Sequence, residues 1–406
     1  MIEKKISIPV VIEWSVPRLL VLGVLTRVFT DTGVQLFFPF FPLIATGLGI
    51  SAQAMGQLVS IRSLMGLFSP LFGVAMDRYG YRLVMRLGLF LAGLGLLVVG
   101  SSSGYFLAMI GMMLMGLGSF SFIPALQAYL SNRLPYERRA RGLGVVEYAW
   151  ALAGILGLLG AGALIERTSW RVPFWIIGVA LILFSFVYRL LPAAREGSDA
   201  AAPRPTLRSL VQMGGNRRSA YAVLVAGGLI MFATWHTFLN YGTLLTQEYA
   251  LDAAALGRVA SVLGIADLVA SVLVTLVSDR LGKRRSIIGA TGLAVVAFSL
   301  LPILNRGFVP LMAGLLVARF SFEFAIVSNL ALLSEQSPAE RGKVLTLGAA
   351  FALVGTSLAG FTSPAAYETF GASGLGVISA LGMLGAFLLN SFLVQEAELT
   401  PELESR

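Results

Sequence analysis

Residues 73–82 read Gly73-Val74-Ala75-Met76-Asp77-Arg78-Tyr79-Gly80-Tyr81-Arg82, and residues 275–284 read Thr275-Leu276-Val277-Ser278-Asp279-Arg280-Leu281-Gly282-Lys283-Arg284. The Asp-Arg-x-Gly core recurs after 202 residues. An unrelated motif, Pro135-x-Glu137-Arg138, recurs as Pro338-x-Glu340-Arg341 after 203 residues. Two motifs sharing nearly one offset mark an internal duplication. Every copy closes an apolar run, so the duplicated unit is a set of apolar segments joined by basic turns.

The composition says what those segments are. Hydrophobic residues make up 57% of the 406 and charged residues only 13%, with a mean hydropathy of +0.83. Soluble domains carry roughly 25% charged residues, so this chain has too little polar surface to cover a water-soluble core. With no cysteine there is no disulfide scaffold. A polytopic membrane protein remains. Crossing the bilayer takes about 20 apolar residues, and twelve runs qualify: 18–44, 53–76, 84–100, 105–131, 142–165, 172–191, 219–246, 255–278, 286–304, 308–333, 343–366 and 373–394. Runs such as Leu87 to Val99 lack the strict alternation of barrel strands, so the segments are helices. Pro192 to Ser219 is the one long polar interruption. The expected organisation is a segment 1–17, a six-helix bundle 18–191, a linker 192–218, a second bundle 219–394 and an acidic tail 395–406. Even span counts give both bundles the same orientation, the parallel-repeat arrangement.

Alternate loops are basic: Arg78/Arg82/Arg86, Arg133/Arg138/Arg139/Arg141, the linker, Arg280/Lys283/Arg284/Arg285 and Arg341/Lys343. Cytoplasmic loops hold such excess, so both termini are expected on the cytoplasmic side of the cell membrane. The net charge of +9 is then a topology signal rather than a mark of nucleic-acid binding. Lys4 and Lys5 precede an apolar run as in a secretory leader, but Pro9, Glu13, Pro17 and Arg18 interrupt it. An uncleaved first span is expected.

These residues resemble the major facilitator superfamily of transporters. Its signature after the second span runs G-x-x-x-D-R-x-G-R-K/R, and the stretch from Gly73 to Arg82 departs only at Tyr81. The copy after the eighth span departs at Thr275. The resemblance covers essentially the whole chain and implies alternating access between two bundles. It also implies that Gly73, Asp77, Arg78, Gly80 and Arg82, with Asp279, Arg280, Gly282 and Arg284, form a conformational gate. Asp77 is expected to pair with Arg82 or Arg78, or to cap a neighbouring helix. In flavour the chain is similar to proton-coupled drug and metabolite exporters. The exporters' fifth-span signature, Gly-Pro followed by paired glycines, is weakened here to Ala153-x-x-x-Gly157-Leu158 with Ala161-Gly162.

Seven charged residues fall inside spans: Arg27, Asp31, Arg62, Glu147, Asp267, Arg319 and Glu323, and His236 is an eighth titratable group. A central Arg or Asp costs about 3 kcal/mol to insert. Seven facing lipid would exceed the stability of most proteins, so they must pair or line a wet cavity. None lies in the third, sixth, ninth or twelfth span, which the resemblance places on the outside. Arg27–Asp31 and Arg319–Glu323 share the i,i+4 spacing of one helix face. Asp31 is expected between Arg27 and Arg62. Glu147 lies a turn inside the fifth span, near the Arg138–Arg141 run. Asp267 lacks a basic residue at i±4, and a carboxylate without a fixed partner carries protons best. Gln35 extends the Asp31 face, and His236 with Asn240 offers a hydrogen-bonding face.

These residues form the expected substrate and proton pathway of a secondary active transporter. It is expected to move a small molecule as a proton-coupled exporter and to work as a monomer. An uptake symporter for sugars or metabolites and a non-transporting sensor on the same fold are the alternatives. One His and no Cys make a poor nucleophile or metal set, so no enzyme, metal or cofactor is expected. Without a G-x-x-x-x-G-K-S/T loop, ATP coupling has no support in the chain.

Overall fold

The computed structural model describes residues 15–134, 136–192, 216–336 and 341–396. The Pro135 and Pro338 motifs and most of the linker lie outside them, as do the side chains of Glu137, Arg138, Asp279 and Arg341. Among the described residues, ten helices are long and apolar enough to cross a membrane. The last of these, Lys343–Phe392, has 50 residues. At 1.5 Å per residue it is about 75 Å long, twice a bilayer's need. It breaks at Gly371 (φ 58°, ψ −146°), between the two spans read from sequence. The first span carries Arg18, Arg27 and Asp31, enough charge to lower its apolarity, yet it is helical over Val16–Gln35 and again over Phe41–Leu48. Twelve crossings result. We number them α1 (16–48), α2 (Ala52–Tyr79), α3 (Tyr81–Ser101), α4 (Tyr105–Ser131), α5 (Arg141–Arg167), α6 (Arg171–Leu190), α7 (Arg217–Tyr249), α8 (Ala253–Leu281), α9 (Lys283–Leu304), α10 (Phe308–Glu335), α11 (341–370) and α12 (372–392).

Local chemistry repeats between halves. Ser51 caps α2 by accepting from the Ala54 N–H at 3.1 Å. Asp252 caps α8 by accepting from Ala255 at 2.6 Å. The signature turns match as well: Gly80 has φ 82° and ψ 152°, and Gly282 has φ 86° and ψ 143°. Only glycine enters that region without strain. α1 is interrupted at 36–40 and α7 at 239–240, so both halves open with a broken helix.

Interruptions elsewhere follow the residues. Pro70 follows a short 3₁₀ turn, Met65–Phe68, in α2. In α5 the segment Ala153–Gly157 widens into a π-turn, a bulge that often marks functional sites. Its Ile155 carbonyl accepts from the Ser261 hydroxyl of α8 at 2.9 Å.

Hydrogen bonds join the halves along two seams among the described residues. In one, α2 meets α11: the Ser60 hydroxyl donates to the Ser357 carbonyl at 2.8 Å, and Gln53 Nε2 donates to the Phe361 carbonyl at 2.7 Å. In the other, α5 meets α8 at backbone distance. A Cβ added to Gly162 would lie 2.6 Å from the Ala253 carbonyl, and one on Gly257 2.7 Å from that of Leu158. Hydrogen is the largest substituent that fits. Glu166 adds a cap by accepting from the Ala253 N–H at 3.2 Å. Both seams lie in the membrane half opposite the basic turns.

Candidate functional site

Toward the basic turns the halves part around a cavity of about 950 Å³. Its walls come from the first turns of α5 (Arg141 to Ala151), the later halves of α8 (Ser271, Thr275) and α10 (Phe322 to Leu330), with Arg27, Gln127 and Met231. It is open on the basic face and closed on the other.

On the first half, Arg27 and Asp31 share one face of α1. Arg27 Nε donates to Asp31 Oδ2 at 3.1 Å, as their spacing predicted. The same guanidinium reaches Glu147 of α5 at 3.3 and 3.4 Å. Glu147 also accepts from Gln127 Nε2 at 2.7 Å. Glu147 thus joins the cavity wall rather than pairing only within its own loop. Gln35, one turn beyond Asp31, donates to the Trp150 carbonyl at 2.9 Å. Arg62 is buried but makes no ion pair among the described residues, and its Nε has no partner. The expected Asp31 cluster between two arginines is therefore not formed: α2 turns Arg62 away from it.

On the second half the i,i+4 reading of Arg319–Glu323 gives way to pairing across helices. Arg319 forms a two-pronged bond to Asp267 of α8, both contacts at 2.7 Å. Glu323 instead accepts from the Ser271 hydroxyl at 2.7 Å. The two rungs have the same separation of 52 residues and stand one turn apart. The reason is geometric: a planar guanidinium engages both carboxylate oxygens head-on only from a facing helix. Asp267, unpaired by local spacing, is thus the most firmly held acid of the set, and Glu323 is the one without a cation. Around Arg319 the rings of Trp235, Phe238 and Phe322 sit at 5.5, 5.2 and 5.4 Å from the guanidinium carbon, within cation–π range. Trp235 also stacks on Phe38 of α1 (centroids 4.4 Å) and meets Trp150 of α5 edge-on at 6.4 Å. These rings floor the cavity.

His236 and Asn240 lie elsewhere. Both are fully buried and line no part of the cavity. Asn240 Nδ2 donates to Ser363 Oγ at 2.7 Å, and that hydroxyl donates to the His236 carbonyl at 2.5 Å. This pair faces α11 and α12, not the ligand space.

At the signature turns, Asp77 and Arg78 are exposed, and Asp77 makes no ion pair among the described residues. Arg82, its expected partner, donates to the Leu191 carbonyl at 2.9 Å. Arg284 does the same in the second half, donating to the Asn390 carbonyl at 3.2 Å and to that of Ser391. The motif's last arginine thus caps the end of the sixth helix of its own half, where carbonyls lack intrahelical partners. Gly73 has open space around it, and Gly80 and Gly282 make the turns. Arg280 is exposed, and Lys283 pairs with Glu335 of α10.

Ser271, Gln127 and Phe322 escaped the sequence reading. Serines and aromatics abound in such a chain, and only the packing of distant helices singles these out.

The sequence model of the Major Facilitator Superfamily matches residues 23–304 and again 223–405. YwfA, an uncharacterised MFS-type transporter of Bacillus subtilis (strain 168), is 25% identical over 384 residues, covering 93% of this chain and 92% of that one. The multidrug resistance protein MdtG of Escherichia coli (strain K12 / DH10B) is 25% identical over 320 residues, covering 75% and 76%. Among solved structures, a D-xylose-proton symporter superposes with a TM-score of 0.74 at 19% identity, covering 93% of this chain and 98% of that one. A bacterial homologue of the human lysosomal transporter Spinster, inward-facing and unoccupied, superposes with a TM-score of 0.71 at 14% identity, covering 93% and 94%. With its repeated signature, twelve crossings and cavity between two halves, the chain belongs to the major facilitator superfamily.

Proposed function

We propose that this multi-pass membrane protein is a secondary active transporter that exports a small molecule across the cell membrane by alternating access, coupled to protons. The observation that carries the reading is the cavity between the halves, open at the basic face and closed by two seams at the other. By the loop charge the open face is cytoplasmic, and in an exporter that is the loading state. The likeness to MdtG supports export and the drug-like breadth of the cargo.

In this reading Glu323 carries the proton, because it faces the cavity and its partner is a neutral serine. Asp31 and Asp267 join it when movement of α1 or α8 releases their arginines. Arg27 and Glu147 line the entry, Gln35 sits behind them, and Arg319 is held for the switched state. Arg62, His236 and Asn240 serve the helix movement from outside the cavity. Asp77, Arg78, Asp279 and Arg280 make the latch of the opposite state, with Gly73, Gly80, Gly282, Arg82 and Arg284 shaping the turns that bear it. The bundles divide at the linker 192–218, and a single chain suffices.

The test is flux in proteoliposomes with a panel of labelled compounds, with and without an imposed pH gradient. Glu323→Gln should slow gradient-driven flux at least about tenfold, the effect of losing ~1.4 kcal/mol. Wild-type rates in Glu323→Gln, Asp31→Asn and Asp267→Asn alike would remove protons from the reading. Flux driven only inward would replace export with uptake symport. Specific binding without flux would leave a sensor.

A further inference from the structure

Beneath the aromatic floor lies a second, much smaller void of about 20 Å³. Gln35 reaches it from the first half, and Trp235, Tyr241, Asp267 and Arg319 from the second. A single water needs roughly 10–15 Å³ of such space. Two of these side chains, Gln35 and Tyr241, bring it a polar atom that has no protein partner among the described residues. The Tyr241 side chain is 3% exposed and makes no hydrogen bond among the described residues. Gln35 spends its amide N–H on the Trp150 carbonyl, and its own oxygen accepts no bond among the described residues. Each polar group left unpaired in such a place costs about 1–3 kcal/mol.

An acceptor and a hydroxyl that can donate or accept therefore converge on a space of one-water size. We propose that this void holds one ordered water, bridging Gln35 of α1 to Tyr241 of α7. The water is a polar contact between α1 and α7, which no direct hydrogen bond joins among the described residues. Both oxygens of Asp267 already serve Arg319, so that ion pair forms the charged edge of the site. When the outer seams open, α1 and α7 separate and the bridge breaks, so the water belongs to the state with the basic face open.

The experiment uses the full chain in lipid nanodiscs, with water itself as the probe. A structure resolved well enough to show waters should carry density within hydrogen-bond distance of Gln35 Oε1 and Tyr241 Oη. Thermal melting of Tyr241→Phe, Gln35→Leu and the double variant gives a second reading. Two residues that do not touch should act additively unless something joins them. Each single change should lower the midpoint, and the double should fall no further than the larger single. Gln35→Leu also loses the Trp150 bond, so Gln35→Glu serves as control. It keeps an oxygen facing the void, and on that background Tyr241→Phe should regain its full effect. An empty void, or additive losses in the first pair, would overturn the proposal.

Discussion

Asp267 gives both its oxygens to one guanidinium, while Glu323, one rung nearer the open face, has a serine hydroxyl. Their replacements should therefore fail differently. Asp267→Asn leaves Arg319 buried and uncompensated, which costs about 3–5 kcal/mol. It should lower the melting midpoint in detergent markedly, with Arg319→Lys showing a smaller fall because the fork geometry alone is lost. Glu323→Gln keeps a hydrogen-bonding group at the Ser271 rung and removes only a charge. Its midpoint should stay within a degree or two of wild type, a shift of about 0.5 kcal/mol or less, while flux suffers. Equal destabilisation by the two would contradict the pairing described above. At this scale the residue types were readable but the pairs were not. Arg27–Asp31 is encoded in a four-residue spacing, and it formed. The Asp267–Arg319 bond depends on the register of α8 against α10, which no local spacing carries.

Among the elements, the helices themselves were the legible part. The span 105–131 coincides with Tyr105–Ser131, and the gap between 366 and 373 holds the break at Gly371. What local pattern could not give was the role of the signature arginines. Sequence neighbours point Arg82 at Asp77, but the chain reverses at Gly80 and delivers it to the carbonyl end of α6. The same happens with Arg284 and α12. Arg82→Ala and Arg284→Ala should each weaken the tie within a half, costing about 1–3 kcal/mol as charged hydrogen bonds do. The loss would be read as faster amide exchange at the end of α6 or α12. Protection unchanged at those ends would argue for the latch with Asp77 instead. Gly257→Leu acts on another element pair. It forces α5 off α8, so it should shift the protein toward a state open on the outer face, seen as a longer spin-label distance across that seam.

For the whole molecule, the absence of cysteine is an experimental gift, since every introduced thiol is unique. Ser60→Cys with Ser357→Cys places two thiols across the α2–α11 seam, where the native hydroxyl spans 2.8 Å. Oxidation should hold the outer face closed and stop flux, and reduction should restore it. Continued transport by the cross-linked form would show that the halves do not rock apart there. Single thiols at Ser103 and Arg285, probed with an impermeant reagent on intact cells, should react from the outside and the inside respectively. The reverse pattern would invert the topology.

The α5–α8 seam has a consequence for how such a carrier changes over generations. Where Gly162 meets Gly257, almost every substitution is rejected because backbone already occupies the space. Along the cavity, Met231, Ile326, Val327 and Leu330 present only apolar bulk, and bulk is interchangeable. Mutation is thus stringent at the moving joint and permissive at the wall. New cargoes can be sampled by drift in the wall alone, with the machinery inherited intact.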